Sequence, residues 1–281
     1  MLLRFEGVPA PVAFRDCDSL LPRLAPPIAT WPHAAWQGKE TKPSIILERT
    51  VGGFRVEAPP SGRDRSPDYA HDYTNDYEAI AGFFAKLYGA YILANPDLIC
   101  LHAAAVKFEG GLVVLPASGK AGKSTMAVHC AAAGAKLFTD DVLPVRDGAG
   151  LGVALGVAPR LRLPLPGNAT EGFRAFLGAR DVLGDAYGRF VGLRPGEIAA
   201  FGETAPIGAI VLLDRKEEGA PSLASIGKSE ALRDLVGRNF TRSIGAEERL
   251  SRLLRIAEAV PCYRLRYAAC EPAIPLLREV G

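Results

Sequence analysis

The chain has 281 residues, 48% of them apolar, which is enough for one large domain or a main domain with a smaller companion. Its 33 basic and 31 acidic side chains leave a formal charge of +2, so composition excludes the broad positive field that a nucleic acid or membrane partner would demand. No run reaches the roughly 18 apolar residues of a membrane span, and the opening MLLRFEGVPAPVAF, with Arg4 and Glu6, does not read as a secretory signal.

Residues 1 to about 58 read as short strands with turns. SIILERTVGGFRVEAP carries two strands around Gly52-Gly53, a hairpin pattern. Pro59 to Tyr77 is polar and turn-rich and is expected to be a loop, with His71 on its surface. From Asp76 the pattern changes: Tyr77, Ile80, Ala81, Phe84, Leu87, Tyr88 and Tyr91 recur at three- and four-residue steps, which predicts an amphipathic helix stopped by Asn95-Pro96. The aromatic stripe is expected to be core.

ICLHAAAVKFEGGLVVLPA follows, two apolar runs around Glu109-Gly110-Gly111, again a hairpin. STMAVHCAAAG predicts a helix with Gly134 as its stop. AKLFTDDVLPVR reads as one further strand carrying paired acids, and VALGVAPRLRLPL as a strand pair. Residues 164 to 205 are rich in Gly and Pro and weakly periodic, and an irregular segment is expected. APIGAIVLLDR reads as a buried strand, KSEALRDLVGRNF and AEERLSRLLRIAEAV as amphipathic helices, PCYRLRYA as a strand and EPAIPLLREV as a closing helix. The five cysteines, Cys17, Cys100, Cys130, Cys262 and Cys270, are scattered and lack CxxC spacing; reduced thiols in a cytoplasmic protein are expected. His33 is read as a surface or packing residue and His129 as a structural one.

The chemistry concentrates in LPASGKAGKSTMAVHC. Ala117-x4-Gly122-Lys123-Ser124 satisfies the Walker A spacing with Ala in the first position. Successive backbone N–H groups of such a loop point into one concavity that holds phosphate oxygens, and the helix that follows adds its positive end. Gly119 and Gly122 allow close backbone approach. Lys123 would reach the β- and γ-phosphates, and Ser124 would offer its hydroxyl to Mg²⁺. Ala117, Ser118, Gly119, Ala121 and Thr125 complete the candidate nucleotide contacts; Lys120 is either a further contact or a solvated side chain. The loop leaves an apolar strand and enters a helix, the context the motif requires.

Asp140-Asp141 end the KLFT run one strand–helix–strand unit later. On an extended chain two adjacent carboxylates point to opposite sides. One can face the γ-phosphate and accept the proton of an incoming hydroxyl; the other can face Mg²⁺ or a basic partner. Metal binding alone, as in a simple Walker B strand, is the competing reading. His102, on the strand before the loop, is either a core histidine or a partner of Asp141 or a phosphate.

LHAAAV, ASGKAGKST and LFTDDV together resemble the catalytic core of the HPr kinase/phosphorylase family, and more closely the HPr-kinase-related proteins of bacterial peptide-modification gene neighbourhoods. PIGAIVLLDR, SEALRDLVGRNF and VPCYRLRYA are similar to that group as well, so the resemblance spans roughly residues 98 to 278. It implies an α/β, phosphoenolpyruvate-carboxykinase-like P-loop fold for residues 76–281, behind a β-rich N-terminal extension, residues 1–75. It implies a cytoplasmic, ATP- and Mg²⁺-dependent kinase acting on a hydroxyl, with a serine of a peptide or small protein as acceptor.

By resemblance Asp140 is the base, Asp141 assists at the metal or pairs with His102, Lys123 and Ser124 take P-loop roles, and Arg160 with Arg162 neutralises donor or acceptor charge. Segment 164–205 would be an acceptor-side loop. Three departures argue against HPr itself as acceptor: the unrelated N-terminus, Ala117 for Gly, and Thr125 where the family carries an acid. A late RPG motif is also misplaced, LRPGE (Arg194–Glu197) preceding the AIVLLD strand. A small-molecule alcohol kinase and a nucleotide-binding regulator without turnover stay open, as does a homo-oligomer; no LSGGQ signature supports a motor ATPase.

Overall fold

The computed structural model of the chain describes residues 1–39, 42–58, 70–117, 121–146, 150–241 and 243–281. It is a mixed α/β molecule, and the described residues form three sheets. Strands β1 (Leu2–Phe5) and β2 (Val12–Arg15) are followed by helix α1 (Leu21–Ile28) and strands β3 (His33–Ala35), β4 (Ile45–Thr50), β5 (Gly53–Glu57) and β6 (Ala70–Tyr73). The six strands form one sheet in the order β3-β1-β2-β4-β5-β6. The β4–β5 hairpin turns where expected, with Thr50 opposite Gly53. Residues 59–69 of the expected polar loop lie outside the described residues, and the loop's end pairs as β6, with His71 exposed.

Helix α2 (Asp76–Ala94) starts as the sequence predicts: the Asn75 side chain accepts from the N–H of Glu78 at 2.9 Å, and Asp76 and Glu78 sit in the positive first turn. Its apolar residues Ile80, Phe83 and Leu87 are fully buried in one core with Val12, Phe14, Ile45, Leu47 and Val56 of the first sheet. Each such side chain contributes roughly 1.5–3 kcal/mol of burial. That core continues into Cys100, Val142 and Phe190, so it crosses the sequence boundary at 75/76.

The second sheet holds the loop. Strands β7 (Leu98–Phe108) and β8 (Gly111–Pro116) form the expected hairpin, and helix α3 (Lys123–Ala132) follows the loop and stops before Gly134, whose φ is +90°. Strands β9 (Lys136–Thr139), β10 (Val142–Arg146) and β11 (Leu151–Val153) come next. Strand β12 (Arg160–Arg162), helix α4 (Glu171–Gly178), strands β13 (Asp181–Gly184) and β14 (Gly188–Val191) build a small third sheet, β12-β14-β13, with its helix. Strands β15 (Thr204–Arg215) and β16 (Ser222–Ser225), helices α5 (Lys228–Gly237) and α6 (Ala246–Ala259), strand β17 (Cys262–Tyr267) and helix α7 (Ile274–Val280) complete the chain.

The large sheet runs β11-β10-β7-β8-β15-β17-β16, with β9 paired to β7. Strand β8 is buried along its whole length because both faces are covered. Val113 and Leu115 pack with Met126 and Ala127 of α3 and with Leu277 of α7, while Leu112 and Val114 pack with Leu235 of α5 and Leu253 of α6. Strands β8, β15 and β17 are parallel, and β9 and β8 both run antiparallel to β7. The carboxyl ends of β8, β9, β15 and β17 therefore share one edge. Ligands of open α/β sheets bind in the crevice along such an edge.

Two expectations change. AKLFTDDVLPVR is two strands, β9 and β10, broken at Asp140-Asp141. Residues 164–205 are not one irregular segment: most of the third sheet and α4 lie within them, and Leu161, Phe173, Leu177 and Val191 bury together there against Val128 of α3.

Candidate active site

A cleft of about 290 Å³ opens at that shared edge, lined among others by His102, Ala121, Gly122, Lys123, Ser124, Thr125, Asp140, Asp141 and Arg160. The fold brings these residues together from four separate stretches of sequence. Ser118, Gly119 and Lys120 lie outside the described residues. Ala117 is buried at the end of β8, and its carbonyl accepts from Lys123 Nζ at 2.8 Å.

Gly122 caps α3 with a φ of +91°, a conformation that favours glycine. A Cβ there would also sit 2.8 Å from the Tyr267 hydroxyl. That hydroxyl donates to the Ala121 carbonyl at 3.3 Å, tying the end of the loop to β17. The first N–H groups of α3, at residues 123–125, have no carbonyl in the preceding turn to meet. Residues 123–125 line the cleft, and an anion bound there would satisfy such groups.

Lys123 is buried. Its Nζ approaches His102 Nε2 at 3.1 Å, and His102 Nδ1 approaches Asp141 Oδ1 at 2.9 Å, off the ring N–H axis. With the lysine charged, both contacts hold together when the ring proton sits on Nδ1. Burial lowers the Lys123 ammonium from its ordinary value; the charges of Asp141 and Asp140 oppose this, while Arg238 and Arg162 reinforce it.

The two acids differ sharply. Both border the cleft, because the chain breaks between β9 and β10 instead of running extended through them. Asp140 is 7% exposed; its Oδ2 accepts from the N–H of Arg160 at 3.0 Å, and the Ser124 hydroxyl bonds it as well. Burial pushes its carboxyl up to about 6 and the Asp141 charge adds to this, against the pull of the Arg160 N–H, the Ser124 hydroxyl and the Arg160 charge. Burial also raises Asp141, but the contact with His102 and the charges of Arg160 and Lys123 outweigh it and hold Asp141 below its ordinary value. The side chain of Asp141 is 46% exposed, so it faces the opening.

Ser124 therefore partners Asp140, not the Asp141 that sequence reasoning had set beside it at the metal. The donors here, one hydroxyl and two carboxylates, are all oxygen, which suits Mg²⁺ held with the help of substrate phosphates. Among the described residues no cluster of three His, Cys, Asp or Glu side chains stands ready to hold a metal by itself.

Several lining residues escaped sequence reasoning. Helix α2 supplies Ala81, Phe84, Ala85 and Tyr88 as one wall, and Phe190 joins them. Burial raises the Tyr88 phenol well above its ordinary value, with the charges of Asp140 and Asp141 adding to it. Arg160 and Arg162 sit two residues apart on β12 and line the same wall, while Leu161 between them is buried in the core under α4. Segment 238–241 runs beside β7: His102 N–H donates to the Arg238 carbonyl at 2.7 Å and Phe240 N–H to the Cys100 carbonyl at 2.8 Å. This sets the Phe240 ring 5.3 Å from His102. The signal for Arg215 was present in LLDR, an apolar strand ending in a cation beside the loop strand. For α2 no local signal existed, since the same aromatic stripe serves core and cleft.

No protein-family model matches the chain, and no curated protein matches it. Among the described residues no helix is long and apolar enough to cross a membrane.

Proposed function

We propose that the protein is an ATP- and Mg²⁺-dependent kinase that transfers the γ-phosphate to a hydroxyl, with a serine of a peptide or small protein as acceptor. The carrying observation is Asp140: a buried carboxylate poised near 6, hydrogen-bonded to the loop serine and lining one cleft with Lys123. A base needs a pKa close to the working pH to take a proton and release it again. The fold reading that goes with this is a phosphoenolpyruvate-carboxykinase-like P-loop core, supported by the strand–loop–helix of β8 and α3 and by the acid pair on the same sheet edge. The free thiols of all five cysteines fit a cytoplasmic setting.

In this reading Lys123 and the N–H groups at the start of α3 hold the β- and γ-phosphates. Mg²⁺ would be held by Ser124 and Asp141 and would supply charge neutralisation between the phosphates, leaving Asp140 free to take a proton. The acceptor oxygen attacks the γ-phosphorus, the bond to the β,γ-bridging oxygen breaks, ADP leaves, and the hydroxyl proton passes to Asp140. Asp141, oriented by His102, keeps negative charge beside that oxygen and resists protonation. Arg160 and Arg162 balance the charge of the transferring group. The α2 wall excludes water from the acceptor side, which limits hydrolysis of the donor.

A second reading, a small-molecule alcohol kinase, draws support from the size of the cleft: about 290 Å³ fits a compact acceptor as readily as a peptide side chain.

The test is phosphate incorporation from labelled ATP with Mg²⁺ into serine peptides encoded beside the gene and, in parallel, into free serine and simple sugars. Incorporation that falls on the order of 10²-fold or more in Asp140→Asn, with ATP still bound, supports the kinase. Tight ATP binding with no incorporation into any acceptor supports a nucleotide-binding regulator and overturns it.

A further inference from the structure

A second hollow, wider and more open at about 710 Å³, adjoins the cleft, with Ala121 and Arg215 lining both. Its remaining walls come from Gly167 and Asn168, from Leu213, Asp214, Lys216 and Glu217 at the end of β15, and from Ala268 just after β17. We infer that the ribose and base of the nucleotide donor occupy this hollow, with Arg215 gripping the phosphate chain where it passes from one cavity to the other. This rests on the reading of the loop as a triphosphate site.

Three observations converge. The first is space. A cleft of about 290 Å³ lies at the bottom of the ~300–1,000 Å³ range of small-molecule sites, too little for a whole nucleotide plus an acceptor. Phe84, Tyr88 and Phe190 line the cleft, whereas Ala121 and Arg215 line both cavities, so the shared border is the way by which the nucleoside would reach the hollow.

The second is topology. The acid pair lies on the β9 side of the loop strand, whereas β15 and β17 lie on the other side, with their carboxyl ends on the same edge. A phosphate chain laid over the loop with its γ end toward Asp140 points its other end at β15 and β17. The crevice outside parallel-strand carboxyl ends is where nucleotides settle in such sheets.

The third is the chemistry of the hollow. Arg215 makes no ion pair among the described residues, and its Cδ lies 4.0 Å from where a Cβ on Gly122 would be. It is an exposed cation placed beside the end of the loop and bordering both cavities. Around it Asn168, whose Nδ2 donates to the Ala268 carbonyl at 3.0 Å, still offers its amide oxygen. The carboxylates of Asp214 and Glu217 border the same space. Hydroxyls of a ribose and the edge of a base require this mix of acceptors and donors, and inorganic phosphate does not.

The experiment compares ATP with inorganic tripolyphosphate, both with Mg²⁺, by titration calorimetry on the full chain. Gly167→Trp and Lys216→Trp fill the hollow from two sides. A Cβ on Gly167 meets nothing within 4 Å, and Lys216 is a surface residue paired to Asp214, so neither change disturbs the core. The wild type is expected to bind ATP more tightly than tripolyphosphate, and the ratio of the two Kd values is expected to shrink at least tenfold in both variants. A wild type with no preference for ATP, or a ratio within twofold of wild type in both variants, overturns the assignment of the hollow while leaving the loop as a triphosphate site. A wild type that binds neither compound overturns the loop reading and this inference with it.

Discussion

Two histidine–carboxylate contacts flank helix α3, and they behave as different chemistry. At its start His102 touches Asp141 at 2.9 Å and Lys123 at 3.1 Å on the border of the cleft. Farther along, His129 lies 3.4 Å from Glu271 with its side chain only 4% exposed, and its ring stacks on Phe173 with centroids 3.4 Å apart. Burial pushes the His129 imidazole down to about 4, against the pull of Glu271. Glu271 in turn accepts from the Thr170 hydroxyl at 2.7 Å, which ties the start of α4 to the turn before α7. The pair of residue types is the same. A neighbouring ammonium, a second acid and a cleft make the first the cluster that the proposed phosphate transfer would use; a stacked ring and a tied hydroxyl make the second a clamp. Neighbours, not the pair, decide the role.

Lys123→Ala should separate the two regions most widely. It removes the cation expected on the β- and γ-phosphates, and turnover should fall on the order of 10²–10³-fold, the scale seen when one preorganised charge or donor leaves an active site. Thermal stability should not fall in step, because the variant also removes a buried ammonium whose desolvation opposes its charged form. Steady-state phosphate transfer and thermal melting of the same preparation decide it. Unchanged turnover and unchanged ATP affinity would remove Lys123 from the site and leave the two histidine contacts on the same footing.

The convergence of Lys123, Ser124 and the two acids on one cleft was legible because its parts are local. A strand, a Gly-Lys-Ser turn and a helix occupy consecutive residues, and the acids follow one unit later, so spacing alone predicts Lys123, Ser124, Asp140 and Asp141 in one place. The pairing of His102 with Asp141 was one of the partners considered. What spacing misses is decided by contacts distant in sequence. Phe84 and Tyr88 reach the cleft only because α2 lies between the first sheet and β14. Residues 164–205 look irregular because β13 and β14 have only four residues each and gain their stability from pairing and from the α4 core. The acids both border the cleft because β9 and β10 pair with different stretches of β7, β9 at residues 105–107 and β10 at residues 98–102, and no local rule marks that break.

Phe173→Ala probes the clamp. Phe173 is buried with Val128, Leu161, Leu177 and Val191, so truncation leaves a cavity and should lower stability by about 3 kcal/mol. Denaturant unfolding measures this. Turnover measured where the variant is folded should fall less than tenfold, since the rings stacked on Phe173 are those of His129 and Phe176, neither of which lines the cleft. A loss of turnover matching Lys123→Ala would show that α4 and its core belong with the cleft cluster after all, through the hold that Leu161 gives to Arg160 and Arg162.

The smallest effect is a pH dependence in which the two regions oppose each other. Asp140 titrates near 6 in the folded protein against 3.8 as a free side chain. Between those values the folded state keeps a proton that the unfolded chain has released, so this group's stabilisation is full below about 4 and is lost as pH rises to 6. His129 titrates near 4 against 6.5, so between those values the unfolded chain binds a proton that the folded state refuses, and stability is lost as pH falls. Each contribution is at most about 3 kcal/mol, and the two largely cancel in the wild-type chain. Asp140→Asn should therefore expose the His129 slope, with melting temperature dropping more steeply than wild type between pH 6.5 and 4. His129→Gln should flatten or reverse it. Turnover ignores His129 and follows Asp140 alone, rising as pH passes about 6 and the base loses its proton. Equal melting slopes in the two variants would mean that burial does not set these two groups apart, and the contrast between the cleft cluster and the clamp would lose its electrostatic basis.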